Sequence, residues 1–136
     1  MHKELFKLFQ GDNTCYLKSL LTGTDDERGK KEAQYQTVHE ELTSLHWKHH
    51  LAGKTRIGIR PEIGDECLWG CIDVDPNNYK DYSEKKYVDI ITKYRLPLVP
   101  VMSKSGGLHI FVFFKELAEI SKVKQKLNEI NEQYFL

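Results

Sequence analysis

Apolar positions along this chain change their period several times, and each change marks an element. Leu5, Phe6, Leu8 and Phe9 recur among charges over residues 2–10, the spacing of a short amphipathic helix that Gly11-Asp12-Asn13 breaks. Residues 22–32 are polar and glycine-containing, and read as an exposed loop. Thr43 is a good N-cap for a helix that carries Leu45, Trp47, His50 and Leu51 and ends at Gly53. Arg56 to Arg60 alternates around Ile57 and Ile59, Pro61 to Glu66 is a turn, and residues 67–74 form a second strand. That pair reads as a hairpin, with the apolar run Cys67 to Ile72 placing its second strand in the centre of a sheet. Pro76-Asn77-Asn78 ends the strand, and Ser83 caps a helix with Tyr87, Ile90, Ile91 and Tyr94 on one face. Pro97 to Met102 returns as a strand, Ser103 to Gly107 turns, and residues 108–114 run on as a strand. From Glu116 to Tyr134, the apolar residues Leu117, Ile120, Val123, Leu127 and Ile130 fall at helical spacing, a packing helix with a solvated, charged face.

From residue 67 the order is therefore strand, helix, strand, turn, strand, helix, which predicts an α+β fold. At 136 residues the chain is long enough for one domain with its own core. Its formal net charge of zero removes any argument for nucleic-acid binding from overall charge and leaves room only for a local basic patch. Three cysteines, Cys15, Cys67 and Cys71, make no disulfide framework and fit a reducing compartment, so a cytoplasmic location is expected. No apolar run is long enough to span a bilayer, and the N-terminus has no long apolar signal segment.

Two polar signals interrupt the apolar strands. The first is Asp73-Val74-Asp75 at the end of the strand that begins at Cys67. Alternation puts both carboxylates on one face, while Ile72 and Val74 point to the other. Neighbouring carboxylates repel, and Mg²⁺ or Mn²⁺ between them is the usual remedy. Two solvated acids at a strand end are the competing reading. The second signal is Ser103-Lys104-Ser105-Gly106-Gly107-Leu108-His109. Glycines let backbone N–H groups approach phosphate oxygens, Lys104 supplies a point charge, and His109 can hydrogen-bond a phosphate or act as an acid toward leaving pyrophosphate. A plain glycine turn is the alternative here. If both signals share one sheet face, they describe a site for a metal-bound nucleoside triphosphate.

Other groups carry weaker signals. His46, His49, His50, Cys67 and Cys71 suggest zinc, but their spacing fits no standard finger pattern. Lys54, Arg56, Arg60, Lys80, Lys85, Lys86, Lys93 and Arg95 offer a nucleic-acid path, against the simpler reading of solvated charge. Tyr79 and Tyr82 follow the acidic motif and are candidates to stack on a base or sugar. Arg60 stands out because the hairpin reading puts it beside the acidic strand.

Taken together, Trp47 to Gly53, Ile57-Gly58-Ile59-Arg60-Pro61, Cys67 to Asp75, Leu96 to Val99 and Ser103 to Phe111 resemble the archaeo-eukaryotic primase superfamily, the primase-polymerases. The closest branch is that of phages and of the TOTE conflict systems, and the likeness runs from about residue 5 to about residue 116. The resemblance implies a catalytic core with a sheet related to RNA-recognition folds, flanked by helices and preceded by an N-terminal αβ unit. It divides residues 1–136 into that unit, 1–55, and a core, 56–136, which together make the N-terminal part of a larger catalytic unit. It implies metal-dependent, template-directed nucleotide addition: a DNA primase or DNA polymerase activity in a bacterial or phage-infected cell. Asp73 and Asp75 match the metal motif and, with His109, the catalytic set. Ser103, Lys104, Ser105, Gly106, Gly107 and His109 match the nucleotide-phosphate motif, with Arg60 beside them. Implied partners are nucleoside triphosphates, a DNA template and primer, and a C-terminal helicase or remaining polymerase segment. The family's third acid, on a later strand, has no counterpart here, since Glu116, Glu119, Glu129 and Glu132 read as helical. Two other readings stay open: a non-catalytic nucleotide- or nucleic-acid-binding module of the same fold, and an Asp-x-Asp glycosyltransferase or nuclease.

Overall fold

The computed structural model describes residues 1–25, 31–78, 81–104 and 106–136, and divides into two compact units, Met1–Gly64 and Asp65–Leu136. The first unit holds helix α1 (His2–Leu8), strands β1 (Tyr16–Asp25) and β2 (Lys31–Val38), helix α2 (Ser44–Leu51) and the short strand β3 (Arg56–Gly58). Its antiparallel sheet has the order β2-β1-β3. Leu42, Trp47, Cys15 and Tyr16 are buried, Trp47 stacks on Phe9 at 5.6 Å, and Tyr16 meets the His46 ring at 4.5 Å. As its sequence predicts, α2 starts at Thr43, whose N–H donates to Nδ1 of His46 at 2.9 Å, and it winds out at Gly53 with φ +75.

Two expectations fail in this unit. Much of the polar stretch expected as a loop is strand: β1 continues to Asp25 and β2 begins at Lys31, while residues 26–30 lie outside the described set. Cross-strand pairing along the ribbon, from Tyr16↔Val38 to Asp25↔Lys31, holds residues whose composition argues for a loop. The hairpin expected between residues 56–60 and 67–74 is also absent. β3 pairs with β1 through Leu17↔Gly58, Lys18↔Ile57 and Ser19↔Arg56, so it belongs to the first sheet.

The second unit holds β4 (Glu66–Val74), a 3₁₀ turn (Pro76–Asn78), α3 (Glu84–Lys93), β5 (Val99–Met102), β6 (Leu108–Glu119) and α4 (Ile120–Ile130), which continues as a wider turn over Asn131–Phe135. The sheet order is β4-β6-β5, with β6 antiparallel to both neighbours. β6 is therefore the central strand and the acidic strand β4 lies at an edge, which corrects the expectation from its apolar run. The β-α-β-β-α order, with helix α3 crossing between two parallel non-adjacent strands, is the split βαβ plan of RNA-recognition-like sheets.

Alternation sorts the sheet's two faces. Ile110, Val74 and Leu108, at 0%, 1% and 3% exposure, point into a core closed by Tyr87, Ile91, Val123, Leu127 and Phe135. Gly70 lies under α4: a Cβ there would stand 3.0 Å from Leu127 Cδ1 and 3.0 Å from Val123 Cγ1, so its bare backbone lets the helix seat closely. Cys71, Asp73, His109, Phe111 and Phe113 belong to the opposite face.

β6 outruns its predicted end. Residues 115–119 have a helix-favouring composition, yet Cys67↔Ala118 and Glu66↔Glu119 keep them in the ladder, and the Ile120 N–H closes it on the Asp65 carbonyl at 2.9 Å. Glu116 and Glu119 are thus on a strand and not on the final helix. They remain remote from Asp73, since seven residues of strand from His109 to Glu116 span roughly 23 Å.

Candidate functional site

The two polar signals meet at one end of the second sheet. Register pairs Asp73 on β4 with His109 on β6, and Nε2 of His109 stands 3.5 Å from Oδ1 of Asp73. Both side chains are accessible, 76% for Asp73 and 45% for His109. The next pair along, Val74↔Leu108, turns inward, so the carboxylate and imidazole stand over a packed floor that fixes their backbones. Asp75 lies one residue beyond the strand. Its Oδ1 accepts the Asn77 N–H at 3.0 Å and its carbonyl accepts the Asn78 N–H at 3.0 Å, an Asx turn that ends β4.

The turn from Ser103 to Gly107 closes onto the same end. Ser103 N–H donates to the Gly107 carbonyl at 2.9 Å, and Ser103 Oγ accepts the Gly107 N–H at 3.1 Å. Gly106 takes φ +82, the left-handed conformation that costs a glycine least. Gly107 serves a different need: a Cβ there would land on the Val74 carbonyl oxygen and come within 3.0 Å of Pro76 Cδ. Only a residue without a side chain lets the turn lie against the Asp-Val-Asp segment this closely.

One detail of the phosphate reading needs correction. The Gly106 N–H donates to the Ser103 carbonyl at 3.1 Å, so the amides of both glycines are used inside the turn rather than offered outward. Lys104 is exposed beside them, and Ser105 lies outside the described residues. Arg60 does not share this sheet. It follows β3 in the first unit, where its guanidinium makes a long contact of 3.5 Å to the Thr37 hydroxyl, and β3 pairs with β1 instead of β4.

The remaining candidates have their own local partners or lie outside the described residues. Tyr82 packs its ring 6.0 Å from Tyr87, and burial raises its hydroxyl pKa, with the Glu84 charge second. Tyr79 and Lys80 fall outside the described residues. Lys85 pairs with Asp89 at 2.6 Å, and Lys93 lies 5.2 Å over the Tyr94 ring. Among the described residues no group of three or more His, Cys, Asp or Glu side chains is placed to hold a metal, so neither the zinc reading nor a protein-only magnesium cage finds its ligands. Two carboxylates do suit Mg²⁺ that keeps its water and a substrate's phosphate oxygens, the mode in which that ion is usually held.

Sequence reasoning overlooked the neighbours of this site. Phe111 lies 6.1 Å from His109, 6.0 Å from Trp69 and 5.9 Å from Phe113, a row of rings along the Asp73 face. Period-2 spacing on 109, 111 and 113 was the available signal. Cys71, also on this face, has its thiol pushed up to about 11 by burial, with the Asp73 charge adding to it. A groove of about 370 Å³ runs along the outer side of β4, between Cys71, Ile72 and Asp73 and the α4 residues Lys124, Leu127 and Asn128.

Among the described residues no helix is long and apolar enough to cross a membrane. No curated protein matches the chain. A family model described as the TOTE conflict system, archaeo-eukaryotic primase domain matches residues 7–135. With nearly the whole chain matched, and with an α+β architecture that agrees, the protein belongs to the archaeo-eukaryotic primase family of TOTE conflict systems and carries its primase-type nucleotidyltransferase fold.

Proposed function

We propose that this chain contributes the nucleotide-handling site of a DNA primase-polymerase. In that reaction the oxygen of a 3′-hydroxyl bonds to the α-phosphorus of a nucleoside triphosphate, and the bond to the leaving pyrophosphate breaks. The observation that carries the reading is the juxtaposition of the Asp73–His109 pair, at 3.5 Å, with a turn that Gly107 seats against Val74. Asp73 and Asp75 would hold Mg²⁺ or Mn²⁺ delivered with the triphosphate. When bound, that ion offsets the repulsion between carboxylates and phosphates and polarises the reacting phosphoryl group. Lys104 supplies a mobile positive charge to the β- and γ-phosphates. His109 donates from its ring to a phosphate oxygen, and when protonated it can pass that proton to pyrophosphate as the bond breaks.

The third acid implied by the family resemblance would come from a further strand, and the outer side of β4 is where such a strand can pair, beside Asp73. Among the described residues no third acidic, His or Cys group joins these two, which supports a second reading: a module of the same fold that binds nucleotides without transferring them. Incorporation of labelled nucleotides on a primed DNA template, with Mg²⁺ or Mn²⁺, separates the two. The primase reading expects incorporation that Asp73→Asn and Asp75→Asn abolish and His109→Ala lowers. Triphosphate binding without incorporation, by the wild-type chain, favours the binding module.

A further inference from the structure

A second concave site lies wholly within the first unit, at the point where β3 leaves β1. It measures about 560 Å³ and is lined by Lys18, Ser19, His50, Lys54 and Arg56 among others, with no carboxylate in its wall. Among the described residues none of the three cations lies within salt-bridge distance of an acid, in a chain whose formal charges sum to zero. Like charges gathered without a partner repel one another, and an anion relieves that repulsion.

The neutral groups agree with this sign. Nδ1 of His50 accepts the Ile57 N–H at 3.3 Å, which leaves the proton of the neutral ring on Nε2 as a donor. Ser19 stands opposite Arg56 in the strand register, is only 8% exposed, and its Oγ has no hydrogen-bond partner. One feature opposes: the C-terminal end of α2, whose carbonyls carry roughly half a negative charge, abuts the site. Three full cations outweigh it.

From this we infer that the first unit has a phosphate-binding pocket, built by Lys18, Lys54, Arg56, His50 and Ser19, that grips the backbone of a single-stranded nucleic acid. The phosphate chemistry follows from the pocket alone. The choice of a polynucleotide over a free nucleotide rests on the proposed template-directed function. Lys54 and Arg56 are exposed at the rim, where a continuous strand can run past.

Titration of the full chain with a mixed-sequence single-stranded DNA oligonucleotide, at several salt concentrations, tests this, with metal-free ATP as a second probe. Reversing both rim charges, Lys54→Glu with Arg56→Glu, should weaken oligonucleotide binding at least about tenfold near 50 mM salt. It should also flatten the slope of log K against log[salt] by about 1.4, the share of two phosphate contacts on a single strand. Lys54→Arg should keep the wild-type slope. Should the reversed variant not fold, Lys54→Gln with Arg56→Gln removes the same two contacts and carries the same prediction. Strand binding and nucleotide incorporation are each measured on the rim variant and on Asp73→Asn, so failure of the pocket and failure of the proposed reaction are read separately. An unchanged affinity and slope in a folded rim variant would overturn the inference. So would a defect confined to ATP, which would make the pocket a free-nucleotide site, or a wild-type chain that does not bind the oligonucleotide.

Discussion

Gly107→Ala tests whether the turn and the acidic strand are built as one unit. The added methyl meets the Val74 carbonyl oxygen on one side, with Pro76 Cδ at 3.0 Å and Ser103 Oγ at 3.3 Å on others. Two of these neighbours are backbone or ring atoms that have no rotamer to escape into, so relief requires the turn to lift away from β4. Overpacking of this kind costs about 1–3 kcal/mol, and strain on the two hydrogen bonds joining Ser103 and Gly107 adds about 1 kcal/mol. A total of about 2–4 kcal/mol is expected in the unfolding free energy from urea titration. The adjacent Gly106 is the control. Its site is open, with nothing within 4 Å of a Cβ, so Gly106→Ala costs only the left-handed strain of about 1–2 kcal/mol. Asn, which tolerates that conformation, should recover part of it. If Gly107→Ala proves as stable as the wild type, or costs no more than Gly106→Ala, the close seating of the turn on Val74 is wrong.

Three further outcomes follow from the same geometry. Ile110→Ala removes a fully buried side chain from the central strand and should cost about 2–5 kcal/mol in the same titration, whereas Lys85→Ala, which breaks an exposed pair with Asp89, should change stability by less than about 0.5 kcal/mol. Cys71, with its thiol at about 11, should react with iodoacetamide at pH 8 roughly 100-fold more slowly than an ordinary thiol, and Asp73→Asn should speed it by removing the nearby negative charge. Because that thiol is harder to ionise in the folded chain than at its ordinary value of 9.0, it favours folding below that pH, and its contribution should fade as the pH rises toward about 11 in denaturation midpoints.

The helices and the two polar signals were legible in the sequence because each depends on local rules. Thr43 and Ser83 announce helix starts, and the spacing of Tyr87 and Ile91 survives as the buried face of α3. The Asp-Val-Asp segment and the strand that opens with Leu108-His109 lie side by side, at the Asp73–His109 and Val74–Leu108 pairs. What failed depends on partners distant in sequence. Arg56–Gly58 has the same alternating pattern whether it pairs with β4 or with β1, and pairing with β1 took Arg60 to the other sheet. The ribbon of β1 and β2 is set by an antiparallel register that local composition does not announce. Lys115 to Glu119 prefers helix by composition, but the start of β4 needs a ladder partner and keeps those residues extended. The edge position of β4 was hidden for a related reason: an apolar run looks alike in a central strand and in an edge strand.

The central claim is that a nucleoside triphosphate binds, with its metal, where β4 ends and the Ser103–Gly107 turn begins. Amide chemical-shift mapping during titration with a nucleoside triphosphate, with and without Mg²⁺, tests this most directly. Saturable shifts confined to residues 73–75 and 103–109, which need the metal and disappear in Asp73→Asn, are expected. Shifts centred elsewhere, or equal with and without Mg²⁺ and untouched by Asp73→Asn, would contradict the claim.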